Sequence, residues 1–370
     1  QEGRNCPAVS LYATFDEATL ALQNTETRVE LVPIAANLRH DQLDAIVTEA
    51  WLKDESFTHT AGTVEPAMPR VQLAFMFRLA QHLKAQREVV RGKPENFNRP
   101  DYNFRLVGND GQEPQGNEQV HISIRQRGAP LDLMVAEAMI LANSTWGNWM
   151  AELGVPGIYR SQASLLPGVK VRMGTKALPH AGIGVPSYAW STSPLRRYTD
   201  LVNQWQIIAC AKHGSTAALA APFKPKDAEL FSIISAFDGA YGAYNAYQNG
   251  MERFWTLQYL KQHNITELSA TVFKVFPGQP PMARADDLPL VLPVFGAGDL
   301  QRGTHVQLRL SEIDDITLDI SGQLLHVLEV DAPSSAEATE MIEDDDDSAA
   351  GPISLAMDVN EAQAPEVNAA

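Results

Sequence analysis

The sequence predicts an α+β chain in which a mixed sheet with packed helices is followed by a small OB-type β-barrel and a disordered acidic tail. Three observations lead there. Long apolar-periodic stretches alternate with short strand-like ones up to residue 263; five short strands crowd into residues 264–330; and the remainder is Ala-, Ser- and Glu-rich. The chain therefore divides into 1–263, 264–330 and 331–370. A length of 370 residues suits two domains, or one large domain with a small appendage, and 45% hydrophobic content is ample for a core. The net charge of -16 is unevenly spread. Residues 331–370 hold 11 of the 45 acidic residues and no Lys or Arg, leaving 34 acidic against 29 basic in the body. That near balance leaves room for local basic patches.

Taken in order, Val9, Leu11, Ala13 and Phe15 share one face of a first strand, and Arg28–Ile34 forms a second. Asp41 is placed to cap a helix carrying Leu43, Ile46, Val47, Ala50 and Trp51. A helix over 71–90 turns Leu73, Phe77, Ala80 and Leu83 inward, and its far end gathers Lys84, Arg87, Arg91 and Lys93, with Arg99 beyond. Such a run is either a solvated face or a contact for a polyanion. In Asn96–Val107, Phe97, Tyr102 and Phe104 interleave with Arg99 and Arg105. That pattern fits a base-stacking strand and a half-buried strand with one aromatic face equally well. A further short strand is read at His121–Ile124.

Leu131–Asn143 is a strongly apolar helix with one carboxylate, Glu137, at its centre. A lone charge there is costly unless it faces a cleft or pairs with an arginine of the core. A Gly- and Pro-rich connection runs from Gly154 to Gly184. A second long helix spans Lys226–His263, its aromatics from Phe237 to Tyr259 read as core. The barrel strands are expected at Ala270–Val275, Leu290–Val294, His305–Leu310, Ile316–Ile320 and Leu324–Leu328. In the tail, adjacent carboxylates at Glu343–Asp347 form no preorganised metal cage.

The sequence centres on 180–214. Ser193 suits an N-cap and Pro194 the first helical position. Arg196 and Arg197 then fall in the first turn, where cations oppose the helix dipole. They make sense if a phosphate shares the site, or if each pairs with a carboxylate elsewhere. Tyr198, Leu201, Val202, Trp205 and Ile208 form the inward stripe, and Gly214 closes the helix. Cys6 and Cys210 give neither a disulfide framework nor metal spacing. No stretch is apolar and long enough to span a bilayer, so no membrane partner is expected and cytoplasmic residence is the default. The start at Gln1, without methionine, reads as a cut within a longer polypeptide.

Thr192–Asp200 (TSPLRRYTD), preceded by His180, Gly182, Gly184 and Tyr188, resembles the late motif of the RNB catalytic domain of ribonuclease II, ribonuclease R and their exosome relatives. RVELVPIAANLRHDQLD (Arg28–Asp44), NRPDYNF (Asn98–Phe104) and VAEAMILAN (Val135–Asn143) agree in order. The resemblance implies an RNB fold, lacking its first part, over residues 1–263, with an OB-type RNA-binding barrel behind it. It implies processive 3′→5′ hydrolysis of single-stranded RNA to nucleoside 5′-monophosphates with Mg2+, and no role for DNA. By the same resemblance Arg196 stabilises the phosphate under attack. Ser193, Arg197, Tyr198, Glu137, Asn143, Arg99, Tyr102 and His180 line the RNA.

The family's DxxDxDD-like cluster of metal-holding aspartates does not occur in residues 1–260. Gln204 stands where many members have histidine, and 154–180 is shorter than usual. Metal-assisted phosphodiester hydrolysis needs those carboxylates. The chain alone is therefore expected to be inactive or nearly so. The part N-terminal to Gln1 would be a partner beside RNA.

Overall fold

The computed structural model describes residues 3–36, 43–53, 70–95, 101–108, 113–125, 128–166, 169–296, 298, 300–330 and 354–355. The chain falls into two compact units. The first comprises Gln1–Phe97, Gly128–Tyr241 and Gly351–Ala370; the second comprises Asn98–Arg127 and Gly242–Ala350.

In the first unit, β1 (Asn5–Phe15) and β2 (Leu22–Pro33) form a long antiparallel hairpin. Val9 and Leu11 pack, as their alternation predicts, against a core of Trp146, Met150, Val155, Tyr159 and Ile207. The helix expected from Asp41 is shorter. Asp41 lies outside the described residues, Leu43–Thr48 is mostly turn, and α1 is Glu49–Lys53, opened by Thr48 Oγ1 accepting from the Trp51 N–H at 3.2 Å. Helices α2 (Arg70–Arg91) and α3 (Pro130–Glu152) bury Leu73, Phe77, Ala80 and Met134 together with Val47 and Trp51.

The expected solvated or polyanion-facing basic run on α2 is corrected by the structure. Arg87 and Arg91 continue the Leu73–Phe77–Ala80 face and are buried. The Gly/Pro-rich connection carries β5 (Tyr159–Ser161) and β6 (Arg172–Gly174), which join β12 (Ser354–Leu355) in a three-stranded mixed sheet. Residues 331–353 and 356–370, most of the expected tail, lie outside the described residues.

Helix α4 (Tyr198–His213) ends at Gly214, whose φ of 52° is one that glycine adopts without strain. Its buried face is not the predicted apolar stripe. Val202 is buried, but Tyr198 and Trp205 are exposed and meet edge to face, while Thr199, Asp200, Asn203 and Gln206 point inward. These polar groups stitch irregular backbone, which must be satisfied once buried. Asn203 Oδ1 accepts from the Ile158 N–H (2.7 Å), and its Nδ2 donates to the carbonyls of Ile158 (2.8 Å) and Trp190 (2.7 Å). Gln206 donates to Pro156 and Phe223 and accepts from the Phe223 N–H. Polarity, read as a solvent signal, misplaces this face. After α5 (Ala217–Ala220), the first half of α6 (Ala228–Gln262) packs Leu230, Ile234 and Phe237 on Val202, Ile158 and Met173.

In the second unit, β3 (Asp101–Val107) and β4 (Gln119–Arg125) form a hairpin. The barrel consists of β7 (Glu267–Lys274), β8 (Met282–Ala285), β9 (Val291–Phe295), β10 (Thr304–Leu310) and β11 (Gly322–Val330). It closes in the order β10–β11–β9–β8–β7, with β10 also paired to β7. Its core is filled by Ala270, Val272, Ala283, Leu292, Val306 and Leu308, with Leu257 and Leu260 of α6.

One predicted strand is replaced. Ile316–Ile320 is a turn, because Asp314 Oδ1 accepts from the N–H groups of Ile316 (2.8 Å) and Thr317 (3.0 Å) and Leu318 takes a φ of 58°. The missing strand is β8, whose inward residues are small alanines that give little hydrophobic signal. On α6, Tyr244 and Tyr247 are exposed rather than core. Replacing Asn203 with alanine strands three buried backbone groups on two segments, at Ile158 and Trp190. Asn203→Ala is expected to lower unfolding stability by about 3 kcal/mol, read by denaturant titration.

Candidate nucleic-acid interface

The helix expected to open at Ser193 opens four residues later. Ser193–Arg197 forms a single turn, with Ser193 O accepting from the N–H groups of Arg196 (3.1 Å) and Arg197 (3.0 Å), and Arg197 is the extended residue that caps α4. The cause is Asp200. Its carboxylate, fully buried in the first turn of α4, accepts from the Ser193 N–H at 2.8 Å and from Nε and Nη2 of Arg197, both at 2.9 Å. A negative charge is favoured at a helix start, and a buried one requires donors of this number.

The two arginines are therefore separated. Arg197 is buried, bound to Asp200, and lies 4.0 Å from the ring centre of Trp190. Arg196 is exposed, and its Nη2 reaches Ser193 Oγ at 3.1 Å. The expectation of a guanidinium pair aimed at one phosphate is corrected to a single presented guanidinium beside a hydroxyl. Tyr198, 48% exposed, and Trp205, 37% exposed, extend this surface along α4.

Behind the turn, residues 188–192 are held from α3. Asn143 Oδ1 accepts from the Ser191 N–H at 3.0 Å, and its Nδ2 donates to the Tyr188 hydroxyl at 3.2 Å. Gln204 Nε2 donates to the Ser191 carbonyl at 2.8 Å. Asn143 is thus buried and braces the segment rather than facing outward. His180 is also buried; its Nδ1 accepts from the Ile183 N–H at 3.2 Å and its ring meets Tyr188 edge to face.

Glu137 takes the core-pair alternative. It is 2% exposed and bound by Nε and Nη2 of Arg87, with Nε at 3.0 Å. Arg87 also donates to Glu95 at 2.7 Å and to the Ile183 carbonyl at 2.6 Å. Burial opposes the Arg87 charge, but Glu137 and Glu95 outweigh it and hold the guanidinium protonated. Burial also pushes the Glu137 carboxyl above its ordinary value, against the pull of Arg87. The carbonyl of Arg87 packs so closely on Gly184, whose φ is 79°, that a Cβ there would run into it. Burial pushes the Cys210 thiol up to about 11, which suits a packed, unreactive side chain.

Of the remaining expected residues, Arg99 lies outside the described residues. Tyr102 belongs to the second unit, on β3 opposite Ile124. There Tyr102 and Phe104 share a half-buried face and Arg105 the exposed one, as in the half-buried alternative. Among the described residues no three Asp, Glu, His or Cys side chains come together to hold a metal ion, so the described donor set does not fit magnesium. Sequence reasoning missed Trp190, Asp200 and Arg87 as organising groups. The three-residue spacing of Arg197 and Asp200 was the available signal.

A family model for the RNB domain matches residues 1–170 and 167–213. The chain belongs to the RNB domain family. The RNB match ends on α4 and so includes the Ser193–Arg196 turn. An uncharacterized ribonuclease of Synechocystis sp. is 25% identical over 291 residues, covering 72% of this chain and 38% of that protein. An active-site mutant of the Dss1 exoribonuclease from Candida glabrata has a similar fold, with a TM-score of 0.67 at 17% identity over 88% of this chain and 43% of that one. Mycoplasma genitalium RNase R in complex with ribose-methylated single-stranded RNA gives 0.63 at 16% identity, over 88% and 58%. The chain thus spans between 38% and 58% of the length of these proteins.

Glu137→Gln separates bracing from RNA contact. It is expected to lower stability by about 3 kcal/mol in a thermal melt, because a buried guanidinium loses one carboxylate. Affinity for oligo(A) should be unchanged; an affinity loss at unchanged stability would place Glu137 on the RNA.

Proposed function

We propose that this chain is the part of an RNB-family 3′→5′ exoribonuclease that holds single-stranded RNA, in a protein releasing nucleoside 5′-monophosphates. The observation that carries the reading is the RNB family match, which reaches through the turn presenting Arg196. An exposed guanidinium beside a hydroxyl suits a phosphodiester, since its N–H fork offers charged donors to phosphate oxygens. In this role Arg196 binds and stabilises the phosphate at the reacting position, Ser193 orients the Arg196 side chain, and Tyr198 offers a ring to a neighbouring base. Arg99 and Tyr102 are proposed as further contacts along the strand. Cytoplasmic residence goes with the reading, as does the domain division at 263 and 330.

Magnesium would supply the activated water and charge neutralisation such hydrolysis uses. The described residues do not gather the carboxylates for it. The chain by itself is therefore proposed to bind RNA with little or no turnover. A second reading, a non-catalytic RNA-binding or scaffold protein of RNB shape, draws on the same donor set.

The test is incubation of the chain with oligo(A), labelled separately at either end, in magnesium. Binding without release of labelled mononucleotide is expected. Mononucleotide release from the 3′ end would overturn both the inactivity and the scaffold reading, and release from the 5′ end would overturn the polarity.

A further inference from the structure

We infer that Asp200 and Arg197, resting on Trp190, are positioning residues that hold the Ser193–Arg196 turn in the form that presents Arg196 to a phosphate. This rests on the phosphate-binding reading of Arg196 above and adds what fixes that side chain.

The geometry is a chain of contacts from the core to the surface. Trp190 is 1% exposed and locked by edge-on contacts to Phe237 and Tyr241 of α6, with ring centres at 6.4 Å and 6.3 Å. Two guanidinium groups lie against its indole, Arg160 at 4.1 Å and Arg197 at 4.0 Å, and both arginines are buried. An indole face attracts such cations most strongly where water is excluded. The stack fixes the plane of the Arg197 fork, and that fork meets both oxygens of Asp200. Asp200 Oδ1 also binds the Ser193 N–H, closing the turn onto the first residues of α4.

Ser193 is thereby set at both ends of its role. Its N–H is held from within, its carbonyl accepts from the N–H groups of Arg196 and Arg197, and its Oγ accepts from Arg196 Nη2. Without the Asp200 carboxylate, the Ser193 N–H loses its acceptor and the Arg197 fork its partner, so the turn is held only through the Ser193 carbonyl and Arg196 would sample many orientations. Asp200 itself is fully buried, so its effect on RNA is exerted through Arg196 and not by contact.

Charge alone makes the opposite prediction, and that supplies the test. Asp200→Asn removes a negative charge near a polyanion site and on electrostatics alone should tighten RNA binding. Positioning requires the reverse. Binding of fluorescein-labelled oligo(A) to the full chain is measured by anisotropy across a salt series in EDTA. Arg196→Ala is expected to weaken binding about threefold, as for an exposed ion pair, and to lower the salt slope by about 0.7, as for one single-strand phosphate contact. Asp200→Asn is expected to reproduce both changes, with no further loss in the double variant.

Tighter or unchanged binding in Asp200→Asn, or losses that multiply in the double variant, would overturn the positioning role while leaving Arg196 on the phosphate. A silent Arg196→Ala, or no binding by the unaltered chain, would overturn the phosphate reading and this inference with it. If Asp200→Asn does not fold, as judged by circular dichroism, Arg197→Lys takes its place. It keeps Asp200 compensated while removing the two-pronged fork. A weakening that is not additive with Arg196→Ala is expected, and unchanged affinity would overturn the inference.

Discussion

A carboxylate buried away from water must be ringed by donors, and the arrangement around Asp200 is the constraint from which the rest of this surface follows. Its oxygens are met by Arg197 and by the Ser193 N–H. The same contacts delay the start of α4, consume one arginine of the pair, and leave the other exposed. Arg197 would sit poorly at a helix N-terminus on its own. Beside Asp200 its charge is offset, and the indole of Trp190 backs it. The separation of Arg196 from Arg197 is thus a consequence of where one acid is buried.

The same logic recurs between α2 and α3. Glu137 on one helix and Arg87 on the other satisfy each other in a setting where either alone would be untenable. The spare donors of Arg87 then reach the Ile183 carbonyl and so anchor the loop that leads into residues 188–192. Asn143 and Gln204 hold that segment from two sides. Ionic and amide groups, more than apolar contact, locate the irregular chain that carries the candidate interface.

How much of this was legible in the sequence depended on whether polarity meant exposure. Where it did, the reading was good. The β1–β2 hairpin, the long helices and the closed barrel all follow apolar periodicity, and the ordered RNB motifs pointed to the family that the comparisons established. Where polar groups were buried for a reason, it failed. Arg87 and Arg91 looked like a basic face and are buried, while Tyr198 and Trp205 looked like inward positions of α4 and are exposed. Glu137 could face a cleft or pair with a core arginine, and the structure holds the pair with Arg87; no periodicity shows which distant group a side chain will meet. In the barrel the error was of size: alanines in β8 carry too little signal, while the isoleucine-containing 316–320 carries too much for what is a turn capped by Asp314.

The amides of Asn203 and Gln206 impose a tolerance map on the chain. Each grips backbone from separate loops, at Ile158 and Trp190 for one and at Pro156 and Phe223 for the other. A one-residue insertion between Trp190 and Asn203 would rotate α4 by roughly 100° relative to these grips and break them together. Insertions are therefore expected to be tolerated only in stretches the grips do not measure, while the thirteen-residue step from Trp190 to Asn203 acts as a fixed ruler.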